Sequence, residues 1–566
     1  MENNIDCRQI KVSEDYADFI TEYDIPSQEV LEEFGAVCYQ ELDVVYSAVY
    51  VPLSNVKELS VYNYPYKSIP TLYGLMDTVA LEDTGVLKLQ NQPTLGLKGE
   101  GTLIGIIDTG IDYTHKAFRD NVGRTRILKI WDQGDNSGNM PEGFGYGSEY
   151  TESDINEALE SDDPLNIVPV TDEIGHGTFI AGVAGGSEDI DEDFVGVVPK
   201  CSFVVVKLKP AKRYLREYYM LPEGVPAYQE NDIMLAIGYL RRQAKEFGMP
   251  LSVILGVGSN RGNHRGRGPL SSSIDDFAKK PESAISVAAG NEGDKRHHYK
   301  GGIEGDGLFD SMEIRVGENE QGFLVEIWGN NPEILSVGLE TPAGEVIPRI
   351  PARLGVKERI YTVFDNSVID VEYALVEQLS GEQVIILRFM TPSQGVWKIN
   401  VYGENIIEGR YDAWLPIAGF VSNDVYFLKP EPDNTITTPG DNERAMTVSS
   451  YSANSGAFDP ACSRGFLVNG IVKPDFAAPG VNIMGPAADN RYVRRSGSSF
   501  AAAITAGAAA QILEWGIVNK KFDILGNQII KSYLIRGARR QEGIVYPSRE
   551  WGYGKLDVYN AFNLLR

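Results

Sequence analysis

The chain has 566 residues, 43% of them apolar and 10% aromatic, with 59 Gly and 29 Pro. A chain of this make-up buries a large core and turns often, which excludes a disordered polymer, a coiled coil and a disulfide-stapled miniprotein. Its length suggests several domains at ~150 residues each, and a net charge of −27 disfavours nucleic acid, because phosphate affinity needs clustered Lys and Arg.

The first residues, Met1 to Asp6, include two acids and no base, whereas a secretory signal opens on positive charge followed by an apolar run. Residues 1–75 then read as a small α+β unit. Ser27 caps a short acidic helix from Gln28 to Phe34, and the β-branched and aromatic run Asp43 to Val51 predicts a strand. Ser54 begins a second short helix, and Tyr66 to Leu75 reads as an extended tail.

From about residue 80 strands alternate with helices. Leu103–Ile107, Phe203–Val206, Leu251–Leu255 and Ala284–Ala288 are continuous apolar runs, as expected of strands buried on both faces. Between the second and third, the periodicity predicts a helix over Asn231–Phe247, capped by Asn231, with Ile233, Met234, Ile237 and Leu240 on one face. This alternation implies right-handed crossovers and a parallel sheet flanked by helices, an α/β fold. Residues 294–438 break the pattern with short strand-like runs such as Phe323–Trp328, Val384–Phe389 and Val396–Tyr402 and no convincing helix. They read as an all-β sandwich. The α/β pattern returns over 439–566, so the sandwich is an insertion. No stretch approaches the ~18–20 apolar residues of a membrane helix. Cys7, Cys38, Cys201 and Cys462 are far apart with no CxxC pair, which argues for reduced thiols and against a zinc site.

Four segments carry chemistry. Asp108, in Ile107-Asp108-Thr109-Gly110, ends a buried strand, where ligands bind in open α/β sheets; alone it reads first as an ordinary turn. His176 stands between Gly175 and Gly177 ahead of a small-residue helix, and glycines on both sides admit a close approach to the imidazole. Asn291 follows the strand run Val287-Ala288-Ala289-Gly290. Ser499 opens an Ala/Gly-rich helix, where backbone amides and the positive dipole end stand beside its hydroxyl; simple N-capping is the plain alternative. Together they supply an orienting acid, a base, an oxyanion donor and a nucleophile, in the order Asp, His, Ser that subtilisin uses.

On these residues the chain resembles the subtilisin-like serine proteases, the subtilases. Gly196-Val197-Val198-Pro199, Lys473-Pro474-Asp475-Phe476-Ala477-Ala478-Pro479-Gly480 and Gly552-Tyr553-Gly554 resemble further motifs of that family, over roughly residues 80–293 and 439–566. The resemblance implies a triad of Asp108, His176 and Ser499, with Asn291 as oxyanion donor. It also implies a peptide-binding edge at Gly256, Val257 and Gly258 beside Ala289 and Gly290. Two positions depart from the family: Ser498 stands where Thr is usual, keeping the hydroxyl, and Gly256-Val257-Gly258 replaces Ser-Leu-Gly.

The layout is similar to the germination-type subtilases of spore-forming clostridia, whose insert is a jelly roll and which process a cortex-hydrolase precursor. By that resemblance residues 1–75 are a prodomain that inhibits and assists folding, 76–293 and 439–566 are the catalytic domain, and 294–438 are the jelly-roll-like insert. The implied substrate is a peptide or protein, with the chain's own prodomain bound in the active site and cut free between about residues 70 and 81. The expected protein is made in the cytoplasm without a Sec signal and is spore-associated. No cofactor, metal, nucleic acid or membrane is expected, and Glu188–Asp193 reads as a solvated charge run. Some relatives of this type have lost triad residues and act as pseudoproteases, so a binding scaffold is the rival reading.

Overall fold

The computed structural model describes residues 7–23, 25–75, 84–90, 92, 95–353 and 357–564. Part of the expected self-cut region, residues 76–81, lies outside them, as does the acidic start at residues 1–6.

Eight strands form the central sheet, in the order Phe476–Pro479, Met446–Tyr451, Ser283–Ala288, Leu251–Leu255, Leu103–Asp108, Ser202–Lys207, Ile127–Asp132 and Ser148–Thr151. All neighbours pair in parallel except the last. The five strands from Met446–Tyr451 to Ser202–Lys207 have almost every residue buried, which is why four of them stand out in the sequence as unbroken apolar runs. Helices cover both faces, and each face has its own apolar cluster. The helix Ser498–Leu513 and its continuation to Val518 are long and apolar enough to cross a membrane, yet the most apolar part is 83% buried against the sheet.

The predicted helix over Asn231–Phe247 forms as Glu230–Phe247, but Asn231 does not cap it. Its carboxamide instead accepts from Gln229 and donates to Asp18 in a buried polar network. The predicted strand Asp43–Val51 is shorter, Ser47–Pro52. Asp43 takes the amides of Val45 and Tyr46 onto its own carboxylate, and such Asx geometry favours a turn over a strand. That turn leads from Cys38–Glu41 into a three-stranded antiparallel sheet with Tyr16–Thr21. The helix Gln28–Phe34 forms as expected, Ser27 accepting from Val30. The expected helix at Ser54 is one 3₁₀ turn, Leu53–Asn55.

Between Asn291 and Ser499 the chain builds two antiparallel sheets. One has six strands, in the order His298–Gly302, Arg410–Trp414, Gly322–Gly329, Gln383–Met390, Val368–Ala374 and Lys357–Tyr361; the other has five. Side chains alternate across a strand, so Phe323, Val325 and Ile327 fill the sandwich interior. Leu324 and Trp328, on the other face, join a separate cluster with the N-terminal unit and the catalytic sheet. The six-stranded sheet is therefore covered on both sides.

Candidate active site

Every expected site residue lies at the carboxyl ends of the parallel strands. Asp108 ends Leu103–Asp108, Gly256 follows Leu251–Leu255, and Asn291 follows Ser283–Ala288. His176 and Ser499 sit in the first turns of two helices, His176–Gly185 and Ser498–Leu513, that pack on each other. Small residues along both helices allow that close packing, and it brings together two residues 323 positions apart.

The His176 Nδ1 lies 2.7 Å from Asp108 Oδ1, and its Nε2 lies 3.0 Å from Ser499 Oγ. All three side chains are buried. Asp108 Oδ1 also accepts the Thr109 amide at 2.8 Å, which fixes the carboxylate rotamer. The flanking glycine is required by contact: a Cβ on Gly177 would lie 2.2 Å from the Gly110 carbonyl oxygen. The ring of Phe500 lies 5.8 Å from the imidazole.

Sequence reasoning missed what holds the histidine helix in place. Gly175 precedes the helix and has no side chain to cap it. Asp172 takes over that role, accepting the amides of Gly175 at 2.9 Å and Thr178 at 2.7 Å and the hydroxyls of Thr109 and Thr178. The Thr109 hydroxyl in turn accepts the Gly177 amide. An acid three residues before a glycine at a helix start was the available signal.

On the opposite wall, Asn291 Oδ1 accepts the Ser498 amide at 3.1 Å, which fixes the amino end of the carboxamide as the donor. The Ser498 hydroxyl accepts the Gly290 amide at 3.1 Å, so the hydroxyl retained at this departure from the family has a structural task. Ala289 and Gly290 belong to the wall, but their backbone groups are already engaged. Ala289 pairs with Val448 and Thr437, and Gly290 with Ser498 and Ser463. Of the five expected residues, Val257 and Gly258 are the ones paired with an extended segment in the structure.

Gly256 abuts the triad, since a Cβ there would lie 3.0 Å from Ser499 Cβ and 3.1 Å from His176 Cε1. Val257 and Gly258 form an edge strand, and it is paired: Leu75 and Gly74 lie antiparallel to them. On its other side the same segment pairs through Leu72 and Tyr73 with Gln229 and Tyr228. Burial pushes the Tyr228 phenol up strongly, and the negative charges of Asp108 and Asp172 push it further.

Among the described residues no three His, Cys, Asp or Glu side chains group as a metal site. In the acidic loop, Asp189 pairs with Lys116 at 2.6 Å. All four cysteines are free thiols.

Residues 99–338 and 421–554 match the family model of the subtilases. The solved structure of the CspB protease of Clostridium perfringens superposes with a TM-score of 0.76 at 30% identity, covering 85% of this chain and 96% of that one. The PI-type proteinase of Lactococcus lactis subsp. cremoris is 22% identical over 474 residues, 75% of this chain and 23% of that protein. The C5a peptidase of Streptococcus pyogenes serotype M18 is 26% identical over 159 residues, 26% of this chain and 13% of that protein. The chain thus spans at most about a quarter of the length of these curated relatives.

Proposed function

The chain belongs to the subtilase family of serine peptidases, and we propose that it is an endopeptidase that first cuts itself behind its N-terminal unit and then cuts a protein substrate. The carrying observation is the unbroken hydrogen-bond line from Asp108 through His176 to Ser499. In this reading His176 takes the Ser499 proton as the oxygen attacks a peptide carbonyl, while Asp108 holds the imidazole tautomer and stabilises its cation. The Asn291 carboxamide and the Ser499 backbone N–H stabilise the oxyanion. His176 then protonates the leaving amine, and water hydrolyses the acyl-enzyme.

Self-processing is supported by the segment Leu72–Leu75, which occupies the edge at Val257–Gly258 as an added antiparallel strand, the mode in which extended peptides bind sheet edges. Residues 1–75 are then a prodomain whose tail blocks the groove. The similarity to the clostridial CspB protease and the shared layout support a further step, activation of a cortex-hydrolase precursor in germinating spores by an enzyme made in the cytoplasm.

The test is Ser499→Ala. It should abolish labelling by a fluorophosphonate probe and leave one uncut chain of 62.3 kDa, where the wild type labels and yields two fragments. A wild-type chain that neither labels nor cuts would favour the binding scaffold.

A further inference from the structure

We propose that the inserted sandwich builds a side-chain pocket of the peptide-binding groove, and that this pocket selects a medium-sized apolar residue at the position Leu72 occupies. The inference deepens the self-processing reading and rests on it, since the occupant of the groove is the chain's own segment.

The track of that segment is fixed residue by residue. The Pro70 carbonyl accepts from the Tyr219 hydroxyl at 3.2 Å. Thr71 accepts the Glu230 amide at 3.0 Å and donates its own amide to the Glu230 carboxylate at 3.1 Å. Leu72 to Leu75 then pair with the edges at Tyr228–Gln229 and Val257–Gly258. Almost any extended peptide can make these backbone contacts, so they select little. Selection must come from side chains.

Successive side chains of a strand point to opposite faces, and here Tyr73 and Leu72 enter different cores. Tyr73 joins the cluster under the helix Glu230–Phe247. Leu72, only 2% exposed, enters the cluster where the three parts of the molecule meet. Its surroundings include Tyr219 and Leu221 from the catalytic unit, but also Leu324 from the Gly322–Gly329 strand. Trp414, Ile417 and Phe420, from the segment by which the insert returns to the α/β sheet, add to the apolar lining. All four insert residues are buried. A cavity of about 30 Å³ remains there, so the pocket has some slack but no room for a bicyclic side chain. The nearby charges, Arg261 and Glu326, are paired with each other at 2.6 Å, so the uncharged polar side chains of the lining are those of Ser259 and Asn260 and the rest is largely apolar. A catalytic unit without the insert would have an open, shallow surface here.

The test is the self-cutting rate of the full-length chain, with every variant also melted in a Ser499→Ala background to verify folding. Each buried methylene is worth roughly a factor of four, so Leu72→Ala should cut about 50-fold more slowly. Leu72→Asn, which buries an unpaired amide, should be slower still, and Leu72→Met should stay within about 5-fold of wild type because such volume-conserving swaps are tolerated. Leu72→Trp should cut poorly and recover when combined with Phe420→Ala, a rescue that a merely structural Phe420 cannot produce. Wild-type cutting rates in Leu72→Asn, or no recovery in a folded Leu72→Trp/Phe420→Ala chain, would overturn the pocket and leave self-processing standing. A wild-type chain that never cuts would overturn both.

Discussion

Asn291 illustrates how a single side chain acquires a chemical role from its surroundings. A carboxamide offers an acceptor and a donor end, and the Ser498 amide, 3.1 Å from Oδ1, claims the acceptor. In the proposed mechanism the donor end is thereby assigned before any substrate arrives, so none of the reaction's driving force is spent on turning it. Removing one pre-oriented oxyanion donor typically lowers kcat by ~10²–10³. Asn291→Ala should show that loss in steady-state peptide hydrolysis with little change in KM, because the donor acts on charge that develops only in the transition state. A kcat within a few-fold of wild type would mean that other groups form the oxyanion site. Ser498 works at the same scale: its hydroxyl accepts the Gly290 amide, so one helix start braces both the wall and the donor.

At the level of elements, the strands buried on both faces could be read directly, because burial leaves an unbroken apolar run; Leu103–Ile107 and Leu251–Leu255 needed no partner to be recognised. The placement of Asp108, Gly256 and Asn291 was legible for the same reason, since each follows such a run. What could not be read depends on which of several possible hydrogen bonds a polar side chain makes, some local and some distant in sequence. Asp172 caps the histidine helix through local bonds to Gly175 and Thr178, and its one distant partner, Thr109, is 63 positions away; it was missed because the glycine before His176 was read only as room for the imidazole. Asn231 looked like a cap, yet tertiary packing gave its carboxamide to Asp18, and Asp43 turned a strand-like run into a turn through two local hydrogen bonds. Glu230 was also missed, although it opens a helix, accepts the amides of Thr71 and Leu270, and is 2% exposed. Burial raises its carboxyl from 4.5 to about 7, against the pull of those two amides toward the charged form. The folded chain therefore holds this proton more tightly than the unfolded one. Its stabilising contribution is complete below about pH 4.5 and is lost as pH rises to about 7, a change of about 3 kcal/mol over that window. Glu230→Gln removes the titrating group. In the Ser499→Ala background, the stability of the chain with Glu230 minus that of the Glu230→Gln variant should fall by about that amount between pH 4.5 and 8 in denaturant titrations. A difference that stays flat with pH would place the carboxyl in a wetter setting.

Across the whole molecule, the N-terminal unit is held by buried polar groups as well as by apolar contact. Asp18, on the Tyr16–Thr21 strand, is fully buried and pairs with Lys212 of the catalytic unit at 2.5 Å. Gln229 and Asn231 donate to its other oxygen, and Lys212 itself is 2% exposed. Burial pulls the Lys212 ammonium pKa down, helped by Lys209, while Asp18 and the more distant Asp232 oppose that pull; without Asp18 the lysine loses its direct carboxylate partner. A second buried lock joins all three parts, where Tyr66 donates to Glu326 of the insert at 2.7 Å and Glu326 pairs with Arg261. Such locks make docking specific, because any misplaced approach strands a charge in a dry interface. The pair itself need not add net stability, since an apolar replacement of similar size is often neutral or better, whereas removing one partner typically costs ~3–5 kcal/mol. Asp18→Ala in the Ser499→Ala background should therefore destabilise the N-terminal unit by about that much, read as a lower denaturant midpoint for its release. Adding Lys212→Met should restore most of the loss, because the stranded cation goes with it. A single-variant cost below about 1 kcal/mol, or a double variant no better than the single, would show that the apolar contacts alone hold the unit in place.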